Sequence, residues 1–288
     1  MRLWITLIAL GGLLVLGMPA NAPAQLALGD YSLEGEVEAG PVFYLDEPPR
    51  SRKGKFEEYR DMTEGLWLQR LHLRLLRPDE RYSTELEGSK WGYEDQYFRL
   101  GAGRLGLWQF VFEWDQIPHV HSTTARLLAQ ETERGVYRLP TPRPAPLSVH
   151  NRAPKLGEVA TRWDTARMSV TLTPAPDFDV VAEYTRINKD GDRPFSMAFG
   201  SPGNNFYEVL EPIEHTIHDV RLRGTYARDN WQVQFGYGLS IFQNSVSRLI
   251  ADNPCFANAG ACGAGDGGAA APRAGQVSLP PDNMAHSF

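Results

Sequence analysis

The chain has 288 residues, with 29 Lys and Arg against 35 Asp and Glu and a formal net charge of −6. That balance excludes a generally basic nucleic-acid binder as the starting assumption. No run of 18 apolar residues occurs after the N-terminal segment. This excludes a later transmembrane helix but not a membrane β-barrel, whose strands average out to ordinary hydropathy.

The N-terminus reads as an export signal. Arg2 supplies the positive charge, Leu3 to Met18 is almost uninterruptedly apolar, and Ala22-Pro23-Ala24 offers a small-residue cleavage site before Gln25. A signal peptide over 1–24 and a mature chain over 25–288 follow. The alternative, a membrane anchor, is disfavoured by the short core and the cleavage motif. No Cys stands at the cleavage site, which argues against a lipoprotein.

Period-two alternation dominates the rest. Glu34, Glu36 and Glu38 alternate with Leu33, Gly35, Val37 and Ala39, and Arg70, His72 and Arg74 with Leu71, Leu73 and Leu75. Trp108, Phe110, Phe112 and Trp114 alternate with Gln109, Val111, Glu113 and Asp115. Met168, Val170 and Leu172 continue the pattern, as do Val220 and Leu222 between Arg221 and Arg223. In the last run Trp231, Val233, Phe235 and Tyr237 alternate with Gln232 and Gln234. Neighbouring strand side chains point to opposite faces, so each run has one apolar and one polar face.

Roughly nine strands are predicted, at 31–44, 64–76, 82–87, 96–101, 106–115, 160–173, 178–188, 214–226 and 231–242. Thr124 to Arg134 is the one weak helix candidate. Tight turns are predicted at 77–81, 103–104, 174–177 and 227–230, and long connections at 45–63, 88–95, 116–159, 189–213 and 243–283. Short and long alternate along the chain, the asymmetry of an outer-membrane barrel. The bland competitor is an exported β-sandwich, which buries its apolar faces against a second sheet. Thr141 to Pro146 reads as a polyproline stretch, and Gly260 to Ala271 as a mobile low-complexity tract.

Several motifs dissolve on inspection. Gly101-Ala-Gly103-Arg-Leu-Gly106 fits a dinucleotide fingerprint in letters, but a strand rather than a helix follows, so it reads as a hairpin turn. His119 and His121 read as loop histidines. His215 and His218 sit three apart at a strand mouth, on opposite faces, and are not a ligand pair. Asn188 to Asp192 resembles part of a calcium loop without its distal Glu and reads as a turn. No nucleophile–base constellation stands out. The chain is read as no enzyme, with no catalytic, metal or cofactor-binding residues. Cys255 and Cys262 are the two cysteines and, in an exported chain, candidates for a disulfide closing a small loop. There is no C-x-x-C-H haem-attachment motif.

In a barrel the charged rows face the lumen, since charge on the lipid face costs kilocalories. The lumen-facing candidates are Glu34, Glu36, Glu38, Arg70, His72, Arg74, Gln109, Glu113, Asp115, Arg221, Arg223, Gln232 and Gln234. The lipid-facing candidates are Trp108, Phe110, Phe112, Trp114, Trp231, Val233, Phe235 and Tyr237. A sandwich would instead put the charged rows on its solvated outside.

Five segments resemble the MtrB/PioB family of decahaem-associated outer-membrane proteins. They are Lys55 to Arg60 followed by Gly65; Asp115 to His119; Glu211 to Thr216; Trp231 to Asn244 with Asn253-Pro254; and Pro280 to His286. The resemblance implies a large antiparallel up-and-down barrel in the bacterial outer membrane, a porin-like sheath around a periplasmic decahaem c-type cytochrome. Haem then sits on the partner, and an extracellular cytochrome is a further candidate partner. Electrons would cross the membrane in metal reduction or iron oxidation. Two departures stand out: an N-terminal C-x-x-C of some members is missing, and family barrels are longer. Eight strands enclose a space that side chains fill, so a cytochrome needs many more. The expected fold is therefore an incomplete curved sheet of nine to ten strands, the N-terminal part of a larger barrel. A diffusion porin and an exported soluble β-sandwich binding module are the alternatives.

Overall fold

The computed structural model describes residues 24–77, 81–140, 153–199, 205–254, 256 and 272–288. The proposed signal peptide, the polyproline and Gly/Ala tracts and the Cys255–Cys262 pair lie wholly or mainly outside the described residues.

The strands are β1 (Ala24–Leu28), β2 (Tyr31–Val42), β3 (Gly65–Leu76), β4 (Tyr82–Trp91), β5 (Tyr97–Arg104), β6 (Trp108–Arg126), β7 (Gln130–Glu133), β8 (Val136–Arg138), β9 (Lys155–Ala175), β10 (Phe178–Phe199), β11 (Asn205–Arg228), β12 (Trp231–Asn244), β13 (Arg248–Asp252), β14 (Ala274–Ser278) and β15 (Asn283–Ser287), with one helix, α1 (Arg50–Phe56). Eleven form one antiparallel sheet in the order β1-β2-β3-β4-β5-β6-β9-β10-β11-β12-β15. Each strand pairs with the next in the chain, apart from β7, β8, β13 and β14, which build a separate four-stranded sheet. β1 and β15 are the two edges, so the large sheet is open.

All nine predicted strands are present, and β1 and β15 flank them. One end of the sheet holds the turns at 29–30, 105–107, 176–177 and 229–230, and there Arg77 N–H donates to the Tyr82 carbonyl between β3 and β4. Their chemistry is local: Gly29, Gly106 and Asp229 adopt the positive φ that reversal at such turns requires. The Gly101–Gly106 motif thus ends a hairpin.

The other end departs from the sequence reading. β6 and β9 to β11 run 19, 21, 22 and 24 residues, far past their apolar alternation. The connections read at 88–95 and 189–213 shrink to 92–96 and 200–204, so loop length is less strictly segregated than predicted. His119, His121 and Asn188–Asp192 lie in strands, not in loops or a turn. The weak helix at Thr124–Arg134 is the end of β6 and then β7, and the helix that does exist is α1. The strands continue because backbone pairing needs no apolar face; β10 and β11 stay in unbroken register from Phe178↔Tyr226 to Phe199↔Asn205.

Beyond β5, the free edge of β6 is covered by chain from two connections. Gln116 N–H donates to the Gln96 carbonyl (3.1 Å) and Val120 N–H to the Glu58 carbonyl (2.9 Å). Between them stands Pro118, which has no N–H to leave unpaired.

Most of the buried apolar core lies at this same end. Leu127, Tyr137, Met197, Phe199, Val209, Val246, Leu249 and Leu279 pack together, joining the small sheet to the extended β10–β11 hairpin. Leu249 and Val209 are fully buried. Arg134 clamps the junction, donating to Glu214 (2.7 Å), Asp192 (2.6 Å) and the Gly191 carbonyl (2.9 Å).

Candidate functional site: a two-faced wall and its mouth

Register determines which residues share a face, because directly opposed side chains on paired strands point the same way. One continuous row runs Gly35, Leu73, Leu86, Leu100, Phe112, Met168, Tyr184, Val220 and Leu239, across nine strands without a charge. The rows through Phe110 and Trp114 flank it. Trp108, Phe110, Phe112, Trp114, Trp231, Val233, Phe235 and Tyr237 all fall on this apolar face. Among the described residues no second layer covers it: Leu172 and Leu222 are more than 40% exposed and Trp231 is 72% exposed. So wide an apolar surface is untenable in water.

The apolar face has a sharp upper limit. Its next row is Gln116, Asp164, Asn188, Thr216 and Gln243. These side chains bond along the row: Gln116 contacts Gln96, Gln116 Nε2 donates to Asp164 (2.9 Å), and Thr216 Oγ1 donates to Asn188 (3.4 Å). At the turn end, Arg104 sits over the Tyr82 ring at 5.3 Å, beside Trp108 in the register.

The opposite face is polar, and its charge alternates strand by strand. Glu36, His72, Glu87, Arg99, Glu113 and Arg167 stand directly opposite one another on six successive strands. Arg99 reaches Glu85 at 3.2 Å and Glu113 at 3.6 Å; Arg167 reaches Glu113 at 3.1 Å; His72 Nε2 lies 2.9 Å from Glu85. Glu34, Glu38, Arg70, Arg74, Gln109, Asp115, Arg221, Arg223, Gln232 and Gln234 share this face. Half-exposed pairs of this kind each contribute well under a kilocalorie, and they do not cancel the face's charge, because Asp179, Glu183 and Asp219 add further acids to it on β10 and β11. His72, Glu85 and Glu87 bring three ligand atoms within 4.8 Å of one another, where Arg99 already holds Glu85. Glu85, Glu87, Arg99 and Arg167 were not singled out in the sequence. Counting register outward from the Arg70–Arg74 row would have found them.

At the mouth, segments far apart in sequence converge. Tyr59 stacks on His119 at 4.5 Å between ring centres, and Glu58 lies 3.7 Å from His119 Nε2. His119 and His121 are ring to ring at 4.1 Å. Arg193 Nη2 pairs with buried Glu211 at 2.7 Å. Asn244, at the end of β12, bonds the last connection, its N–H to Asp282 (2.8 Å) and its Nδ2 to the Pro280 carbonyl (3.0 Å). All five segments that carry the family resemblance reach this end of the sheet. His215 and His218 fall on opposite faces, and His218 Nδ1 meets the Tyr184 hydroxyl at 2.8 Å.

An up-and-down antiparallel sheet with one uncovered apolar face and one polar face of paired charges is the wall of a transmembrane β-barrel. Residues 51–288 match the family model described as outer membrane beta-barrel porin, MtrB/PioB. The chain belongs to that family. Among curated proteins none matches it.

Proposed function

We propose that the protein is the outer-membrane sheath of an electron conduit, a porin-like wall that houses a periplasmic decahaem c-type cytochrome. The observation that carries this reading is the polar face. A barrel that includes these eleven strands is wider than the eight-stranded case, whose side chains fill the interior. Its polar face pairs acid with base across strands, which suits close contact with a protein surface more than selection of a charged solute. Family membership points the same way. In this reading the apolar rows meet lipid and the charged rows meet the lumen. Haem belongs to the partner, an extracellular cytochrome docks on the long-connection end, and the chain does structural rather than catalytic work. Residues 1–24 direct export, and Cys255 and Cys262 form a disulfide within the 245–282 connection.

Purification from outer membranes in mild detergent tests the reading. A haem-staining protein should remain with the barrel in fixed stoichiometry. A haem-free barrel that conducts ions in planar bilayers would favour a diffusion porin instead.

A further inference from the structure

The polar face changes character along its height. Below the Gln116–Gln243 row acids outnumber arginines and pair with them across strands. Above that row, the same face of β6, β10 and β11 carries His119, Lys189 and His215, and His121, at the bulge in β6, turns its ring to His119 and Thr161. Its acids are already used: Glu58 is held by Lys55 and His119, and Glu211 by Arg193. Lys189 has no ion pair among the described residues. Its Nζ rests 4.6 Å from the centre of the Trp163 ring, and Trp163 is 41% exposed. His215 packs edge-on against Phe242 at 5.0 Å, and His121 Nε2 lies 3.5 Å from the Thr161 hydroxyl. Acids concentrate on the reverse side of the same strands: Asp164, Asp190 and Glu214 occupy the opposite parity. There Arg162 already holds Asp164 and Arg134 holds Glu214.

We propose that Lys189, His121 and His215 form a docking patch for carboxylates on the surface of a protein seated in the lumen. The proposal deepens the sheath reading and rests on it for the presence of a luminal protein. A carboxylate gains most from a cation that no fixed acid already neutralises, and Lys189 is such a cation. Trp163 and Phe242 give the patch a rigid apolar floor from which water is easily displaced.

The histidines add a dependence on pH. Burial first, then His119, Lys189 and Arg193, hold His121 below the ordinary imidazole range, with Glu58 opposing. Burial first, then Lys189 and Arg193, do the same to His215, with Glu211 and Asp190 opposing. In the free patch these surroundings favour the neutral form of both rings. A docked carboxylate favours their protonation, so docking takes up protons and tightens as pH falls.

The test uses the whole outer-membrane protein in detergent micelles at low salt, with a fluorescent oligoglutamate peptide as probe and oligolysine as comparator. Oligoglutamate should bind, and bind more tightly at pH 6 than at pH 8, following the imidazole range. K189E/H215E should weaken it by about tenfold or more, whereas Arg167→Gln in the paired-charge rows should change it by less than about twofold. Equal binding to wild type and K189E/H215E, or equal binding of oligolysine, would overturn the patch. If K189E/H215E does not fold, K189A/H215Q decides: the pH dependence must shrink, and an unchanged pH profile counts against the proposal. Native barrels separate the two readings. A barrel without luminal protein that still binds oligoglutamate in this way sinks the sheath and leaves the patch. A barrel whose cytochrome is retained to the same salt concentration in wild type and K189E/H215E sinks the patch and leaves the sheath.

Discussion

At the scale of single residues, the pleat makes the strongest prediction. Phe110 and Gln109 are adjacent on β6 and face opposite ways. Phe110→Arg should impair membrane assembly, costing about 2–4 kcal/mol near the midplane, while Gln109→Arg should assemble normally. Heat-modifiable migration of outer-membrane fractions checks this, and equal impairment by both would contradict the assigned faces. Gly191 makes a second prediction. Its φ is +122°, and a Cβ there would run into the Ala160 carbonyl and lie 2.9 Å from Thr161 Cα. Gly191→Ala should therefore destabilise the mouth by about 1–3 kcal/mol, read as a lower urea midpoint. The two residues also differ in legibility. Phe110 announces its place through alternation with its neighbours. Gly191 sits in a sequence that reads as a turn, and only the close approach of β9 explains why a glycine stands inside a strand.

Among the elements, legibility stops where the apolar face stops. Trp108 to Trp114 alternates because that stretch has one apolar side, whereas residues 116–126 of the same strand have polar groups on both sides and lose the period-two signal. β7 and β8, at four and three residues, are too short to show any period, and α1, seven residues with a glycine inside, has no helical stripe. The main buried cluster joins the small sheet to the β10–β11 hairpin beyond the apolar face, so this end should unfold as a unit apart from the wall below it. Leu249→Ala should cost about 2–5 kcal/mol there. Limited proteolysis should then cut within 245–282 while the heat-modifiable barrel band persists; loss of both together would show that the two sheets unfold as one. The histidines give this end an acid limit. His121 and His215 have folded pKa values below their unfolded ones, so the unfolded chain binds more protons as pH drops. Their effect on stability is absent above the ordinary imidazole value of about 6.5 and becomes destabilising as pH falls below it. Without a bound partner, protease sensitivity of the mouth should rise between about pH 6.5 and 5, and H121Q/H215Q should flatten that rise.

For the molecule as a whole, the sheet divides labour by height and by face. On the sheath reading the apolar rows set the depth of the wall in the bilayer and the paired charge rows line a wide interior, while the mouth gathers chain from three connections. Barrel class was legible in the sequence because alternation and turn chemistry are local. The lateral charge rows were not, since they arise from register between strands far apart in the chain. The sheath reading makes one demand that a diffusion porin does not meet: electrons must cross where small solutes do not. Vesicles that enclose a membrane-impermeant oxidised dye, and carry the purified native complex, measure both at once. Reductant added outside should bleach the dye while an encapsulated small sugar stays inside. Release of the sugar without dye reduction would contradict the sheath and identify an open pore.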